Sequence, residues 1–180
     1  MNIFKIITDI DISILDSIQQ GARCRLGDIF FSIITEFGDG GILWICIGIM
    51  MLFTKKTRTA GIVLLFALAF TSSLGVLIIK PAVCRLRPFV LTGFENVFIP
   101  HPGGFSFPSG HTVTSVAAAV CIYKADRRAG SVAIVLAALV AYSRMYFYVH
   151  YPTDVLAGLI IGMTSAMIML RLSHSSKYVL

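Results

Sequence analysis

The stretch TAGIVLLFALAFTSSLGVLII, residues 59–79, carries no charged side chain. Its length matches the ~20 apolar residues that a helix needs to cross the hydrocarbon layer of a bilayer. Three shorter uncharged runs, 40–53, 129–143 and 155–170, have the same character. Each can complete a span by borrowing flanking polar residues near the headgroups. A fifth run covers 108–123, with Ser109 placed as an N-cap and alanine-rich helical sequence behind it. The expected fold is therefore an all-α, integral-membrane helical bundle of about five to six transmembrane helices. Composition agrees, since 57% of the residues are hydrophobic and 13% charged, far from a soluble globular average.

Before the first span, Ile3, Ile6, Ile7, Ile10, Ile14 and Ile18 recur at helical spacing, with Lys5, Asp9 and Asp16 mostly elsewhere. The pattern predicts an amphipathic helix lying in the membrane interface. Residues 26–37 read either as a second interfacial helix or as the bent beginning of the first span, with Gly38, Gly40 and Gly41 allowing a break. Asp9, Asp11 and Asp16 interrupt the apolar residues where a signal peptide needs an unbroken core, so no cleaved signal is expected. With no internal repeat, low-complexity tract or Pro/Ser-rich linker, 1–180 reads as one domain, 1–37 N-terminal helices and 38–175 a transmembrane core. Cys24, Cys46, Cys84 and Cys121 lack metal or redox spacing and read as small buried hydrophobes.

The net charge of +6 fits a nucleic acid, an anionic membrane surface or an anionic substrate, and position decides among them. Lys55, Lys56 and Arg58 share one connection, Lys124, Arg127 and Arg128 another, and Arg171 and Lys177 follow the last span. Five alternating crossings put all three clusters on one side, which the positive-inside rule makes cytoplasmic. Nucleic acid is thereby set aside as a partner in favour of the bilayer. The connections 80–107 and 144–153 are then extracytoplasmic, and they hold the polar motifs.

The first motif, Lys80-Pro-Ala-Val-Cys-Arg85-Leu-Arg87-Pro88, places three cations where the positive-inside rule disfavours them. An anionic partner accounts for them better than snorkelling at a helix end. The second, Phe105-Ser-Phe-Pro108-Ser109-Gly110-His111, leads into a helix whose first N–H groups form an anion site. The third runs from Ser143-Arg144 to His150-Tyr-Pro152-Thr-Asp154. Pro152 suits the first helical position, so Asp154 falls in the first turn, where it either complements the helix dipole or accepts a hydrogen bond from His150. The latter contact would leave the other ring nitrogen free to attack. Phosphoryl transfer needs donors for the nonbridging oxygens, an in-line nucleophile and an acid for the leaving group. Lys80, Arg87, Arg144, the 109–111 turn and two histidines supply that set.

These motifs resemble the signature of the type 2 phosphatidic acid phosphatase superfamily: K-x6-R-P at 80–88, P-S-G-H at 108–111 and S-R-x5-H-x3-D at 143–154. The resemblance covers 80–154 and implies a helical bundle with the site at one end. It further implies that His150 attacks phosphorus, Asp154 orients it and His111 protonates the leaving oxygen and later activates water. Lys80, Arg87, Ser109, Gly110 and Arg144 would hold the phosphate, with no metal and no cofactor. Small bacterial members commonly act on undecaprenyl diphosphate, and others take phosphatidylglycerophosphate or phosphatidic acid. The reading from another class is a non-catalytic lipid-phosphate-binding or transport protein. Arg85 is expected to support the site from behind, His101 and His174 to be solvent-exposed, and Tyr146, Phe147, Tyr148 and Tyr151 to form an interfacial aromatic belt.

Overall fold

The computed structural model describes residues 3–95 and 98–175, in which every regular element is helical. Helix α1 covers Ile3–Gly21 and α2 Arg25–Glu36, and a turn at Asp39–Gly41 leads into α3, Ile42–Leu52. Gly40 and Gly41 have φ of +56° and +69°, a region open to glycine without a Cβ penalty, so the chain breaks between α2 and α3 there. Helix α4, Arg58–Ser73, runs through a π-helical turn, Leu74–Ile79, into the short α5, Lys80–Val83. Helix α6 is Pro88–Thr92, α7 Gly110–Ala125, α8 Arg127–Tyr146 and α9 Pro152–Ser175. Only Asp126 separates α7 from α8, and its carboxylate caps α8 by accepting from the Ala129 N–H.

Among the described residues, four helical stretches are long and apolar enough to cross a membrane: Arg25–Leu52, Arg58–Thr92, Arg127–Tyr146 and Pro152–Ser173. The remaining expected span, α7, has 16 residues. It sits at the centre of the bundle, packed on α4, α8 and α9. Nine of its side chains are buried, most of them small. The core joins Trp44, Leu64 and Leu68 to Ala117, Ala118, Ala133, Ala137 and Ala166, with Trp44 Nε1 donating to Ser115 Oγ at 3.0 Å. Large apolar side chains point the other way: Phe66, Leu77 and Val132 are 66%, 71% and 70% exposed. Small residues inside and bulky ones outside is the pattern of helices packed in lipid, where hydrophobicity does not drive association and close backbone approach does.

One such approach aligns the polar motifs. Gly158 and Gly162 lie one turn apart on the face of α9 that meets α7. A Cβ on Gly158 would come within 3.0 Å of Ser109 O, and one on Gly162 within 2.6 Å of Val113 O. Helix α1 packs on α8 and α9. Its Asp11 and Leu15 are buried, while Ile3, Ile7, Ile10 and Ile14 face away from the bundle. Of the cysteines only Cys121 is buried; Cys46 lies on the outward side of α3, and Cys24 and Cys84 are exposed. The expectation of buried cysteines therefore fails for three of the four: Cys46 because an apolar membrane helix has a lipid face as well as a core face, and Cys24 and Cys84 because they stand at the ends of helices, as N-cap of α2 and C-cap of α5. The His174 side chain and Lys177 lie outside the described residues.

Candidate active site

The residues singled out in the sequence come together at one end of the bundle. Lys80 opens α5, Arg87 precedes α6, Ser109 to His111 form the start of α7, Arg144 lies in the last turn of α8 and Asp154 in the first turn of α9. His150 sits in the connection between α8 and α9, which is held from both sides. Val149 and His150 N–H donate to the Arg144 carbonyl at 3.1 and 3.2 Å. Tyr148 has φ +58°, unusual for a bulky residue, and is fixed by stacking on Phe94 at 4.5 Å and by donating to Asp16 Oδ1 at 2.7 Å.

His150 Nδ1 lies 3.4 Å from Asp154 Oδ2, and Nε2 lies 3.2 Å from Arg87 Nη1. One tautomer satisfies both contacts: a proton on Nδ1 facing the carboxylate and a lone pair on Nε2 facing the guanidinium. Burial pushes the His150 imidazole down to about 3, opposed by the Asp154 hydrogen bond and aided by the Arg87 and Arg144 charges. The ring is therefore neutral, the state in which Nε2 can act as a nucleophile. Asp154 is fully buried and fully engaged. Its Oδ2 accepts from Tyr151 N–H at 3.0 Å and from Ser106 Oγ, and its Oδ1 accepts from Arg85 Nη1 at 2.7 Å.

Arg87 is tied down by the carbonyls of Gly103, Gly104 and Val149 at 3.0 to 3.1 Å, and Lys80 Nζ donates to Phe105 O at 2.6 Å. Arg144 donates through Nη1 to Thr35 Oγ1 at 2.6 Å, but its Nε is buried without a partner. A buried, unsatisfied guanidinium nitrogen costs free energy unless an anion completes it. The arrangement can therefore bind a tetrahedral anion against His150.

Ser109 occupies the N-cap position of α7, but its side chain does not cap the helix as expected. Its Oγ accepts from Thr112 Oγ1 at 3.0 Å and its N–H donates to the Asp154 carbonyl at 3.2 Å. The next N–H groups, those of Gly110 and His111, have no intrahelical acceptor. His111 lines two cavities. One, of about 290 Å³, is bordered by Gly38, Thr71, Gly75, Lys80 and Thr114. The other, of about 830 Å³, is bordered by Thr35, Asp39, Ile42, His101 and Arg144. His111 Nε2 is 3.9 Å from Asp39 Oδ1, an ion pair only when the ring is protonated.

The aromatic residues correct the sequence reading. Tyr146, Phe147, Tyr148 and Tyr151 are not an exposed belt but are 1–2% exposed. They wall the site from behind, with Tyr151 under Arg85 (3.8 Å from guanidinium carbon to ring centroid) and Tyr146 O–H donating to the Cys24 carbonyl at 3.2 Å. The helices α1 and α2 occupy the space where lipid headgroups were expected. His101 is exposed and stacks on Phe89 at 4.4 Å. Ser106, Thr35, Asp39 and Asp11 also reach the site, and nothing in the sequence context of Thr35, Asp39 or Asp11 marks them for it. Ser106 had the best signal, since it lies beside the Pro-Ser-Gly-His turn.

Residues 60–178, which include all three motifs, match the PAP2 superfamily. The chain belongs to the PAP2 superfamily. A PAP2 relative from Sulfolobus acidocaldarius, an undecaprenyl-diphosphatase, is 34% identical over 121 residues, covering 67% of this chain and 58% of that protein. The chain thus spans less than two thirds of that relative's length. Among PAP2 structures, the transmembrane phosphatidylglycerolphosphate phosphatase from Bacillus subtilis superposes with a TM-score of 0.78 at 26% identity, covering 94% of this chain and 87% of the other. LpxE from Aquifex aeolicus gives a TM-score of 0.77 at 26% identity, covering 90% and 95%. Together with the apolar helices, these PAP2 neighbours make this a multi-pass membrane protein.

Proposed function

We propose that the chain is a metal-independent lipid phosphatase working through a phosphohistidine on His150. The observation that carries this reading is the pairing at His150, with Asp154 at 3.4 Å from one ring nitrogen and Arg87 at 3.2 Å from the other. In the reaction, an Arg87 N–H moves from Nε2 to a phosphate oxygen, and the Nε2 lone pair attacks phosphorus. The bond to the leaving oxygen breaks and that oxygen takes a proton from His111. The imidazolium formed at His150 is stabilised by Asp154. His111, now neutral, takes a proton from water as its oxygen attacks phosphorus; the P–N bond breaks and inorganic phosphate leaves. Lys80, Arg87, Arg144 and the Ser109 and Gly110 turn hold the nonbridging oxygens. Because His111 lines both cavities, it can reach a leaving group in one and water in the other.

The substrate is assigned as undecaprenyl diphosphate, attacked at its terminal phosphorus to leave undecaprenyl phosphate; the Sulfolobus relative supports this choice. A phosphatidylglycerophosphate or phosphatidic acid substrate is the second reading, supported by the Bacillus subtilis structure. The site faces the extracytoplasmic side of the cell membrane, since the basic connections around Lys55 and Arg127 lie at the other ends of the spans. Phosphate release by purified protein in detergent with a chelator tests the reading. Turnover of undecaprenyl diphosphate ahead of phosphatidylglycerophosphate is expected, and its loss in His150→Ala with lipid binding retained. No release from any lipid phosphate would leave a non-catalytic binding or transport protein.

A further inference from the structure

The N-terminal helix places one carboxylate against the back of the site. Asp11 is 1% exposed and comes from α1, outside the 60–178 segment that matches the superfamily. Its Oδ2 accepts from Arg85 Nη2 at 2.7 Å and from Thr153 Oγ1 at 2.5 Å, and its Oδ1 accepts from Thr153 N–H at 3.1 Å. The same Arg85 uses Nη1 to reach Asp154 Oδ1 and Thr153 Oγ1, both at 2.7 Å. One planar guanidinium therefore joins two buried carboxylates, Asp11 through one nitrogen and Asp154 through the other. Its face rests on the Tyr151 ring. Thr153 is in the first turn of α9, so Asp11 also satisfies an N–H that has no intrahelical acceptor, in the turn that carries Asp154.

We infer that Asp11 is a positioning residue, which locks the Arg85 fork and the start of α9 so that Asp154 keeps its carboxylate on His150 Nδ1. Asp11 touches none of Lys80, Arg87, Ser109 or Arg144, so it acts on the orientation of the nucleophile and not on phosphate capture. The margin is small, because the Asp154–His150 contact is already 3.4 Å. Without Asp11, Arg85 Nη2 and the Thr153 N–H lose their acceptor, and the Arg85 side chain, 18% exposed, has water to turn toward. Asp154 then loses its fixed contact on Oδ1, and the tautomer with its lone pair on Nε2 loses its bias. The opposite face of α1, with Ile3, Ile7, Ile10 and Ile14 exposed, points away from the bundle, so the helix is amphipathic and turns its polar Asp11 inward.

The inference rests on the phosphatase reading, and a double-mutant cycle on phosphate release in detergent separates the two. Asp11→Ala is expected to lower kcat about ten- to a hundredfold with KM within about threefold, the range for outer-shell partners that orient a histidine. In an Arg85→Ala background the same change is expected to have little further effect on kcat, because the path through Arg85 is already cut. Asp11→Asn keeps the volume and one acceptor oxygen and should fall between wild type and Asp11→Ala; it carries the test if the alanine variant does not fold. Equal kcat losses in the wild-type and Arg85→Ala backgrounds would make Asp11 a mere tether for α1 and overturn the inference. So would a kcat unchanged in Asp11→Asn and Asp11→Ala. A wild-type protein that releases no phosphate would instead overturn the phosphatase reading.

Discussion

Replacing Gly162 by alanine should pull the second and third motifs apart without touching either. A Cβ at Gly162 would lie 2.6 Å from Val113 O, 3.0 Å from Val116 Cβ and 3.2 Å from Ala117 N. Two of those atoms belong to the backbone of α7, so no side-chain rotation relieves the clash. An ordinary contact begins at 3.4 Å, and α9 must retreat by about 0.8 Å, the difference from 2.6 Å. Overpacking of this kind costs ~1–3 kcal/mol. Asp154 lies about 12 Å down the same helix, at a rise of about 1.5 Å per residue. Its carbonyl accepts the Ser109 N–H at 3.2 Å, so the displacement reaches the point where the two motifs join. A misplacement near 1 Å can cost about a hundredfold in rate. A fall in kcat of about ten- to a hundredfold is thus expected, with a lower unfolding midpoint. With the exposed Cys24, Cys46 and Cys84 replaced by serine, a thiol-reactive dye can follow unfolding through Cys121, which is fully buried. Gly21→Ala is the control, since a Cβ there meets nothing within 4 Å. A Gly162→Ala protein with wild-type midpoint and wild-type turnover would refute the claim that glycine-mediated contact between α7 and α9 sets the site geometry.

Two further outcomes follow from the hydrogen bonds around Asp154 and from the state of His150. Ser106→Ala removes a donor from Asp154 Oδ2, and at ~1.5 kcal/mol for a hydrogen bond to a charged group kcat should drop about tenfold with KM little changed. Full activity would show that the remaining donors suffice. His150 is neutral down to about 3, so falling pH does not switch off the nucleophile of the free enzyme; the acidic limb of kcat/KM should follow the second ionisation of the substrate phosphate, near ~6. A limb that stays fixed for substrates of different phosphate pKa would assign it to the protein. Stability moves in the same direction. His150 protonates at about 6.5 in the unfolded chain but only near 3 in the fold, so unfolding takes up a proton between those values and stability declines as pH falls from 6.5 toward 3. Thermal unfolding of His150→Asn against wild type at pH 7 and pH 5 reads that contribution, and an identical pH dependence in both would exclude it.

Much of this protein is legible in the sequence because lipid is an undemanding solvent to read. A charge-free run must be helical to satisfy its own backbone, which is why 59–79 and its shorter companions mark the spans. The motif spacings are local too: Pro152 at the start of α9 fixes Asp154 in the first turn, four residues after His150, whatever the rest of the chain does. The motifs even indicate which side chains share an end of the bundle, since helices that alternate in direction leave few other arrangements. Hydropathy cannot say which face of an apolar helix meets protein. That is why the outward turn of Cys46, the burial of the tyrosines at 146, 148 and 151 under α1 and α2, and the central place of α7 are not legible in the sequence.

What the sequence by itself determined is the all-helical membrane architecture, the three motifs and the chemistry they can perform, all of which depend on composition and on spacings within about ten residues. Only the tertiary structure decided what holds those motifs in place. Thr35 on Arg144, Asp39 beside His111, and Asp11 and Asp154 on the two sides of Arg85 are contacts between residues 69 to 109 positions apart in the chain. Each depends on where a whole helix docks, and docking is set by contacts between side chains far apart in the chain, which no local pattern encodes.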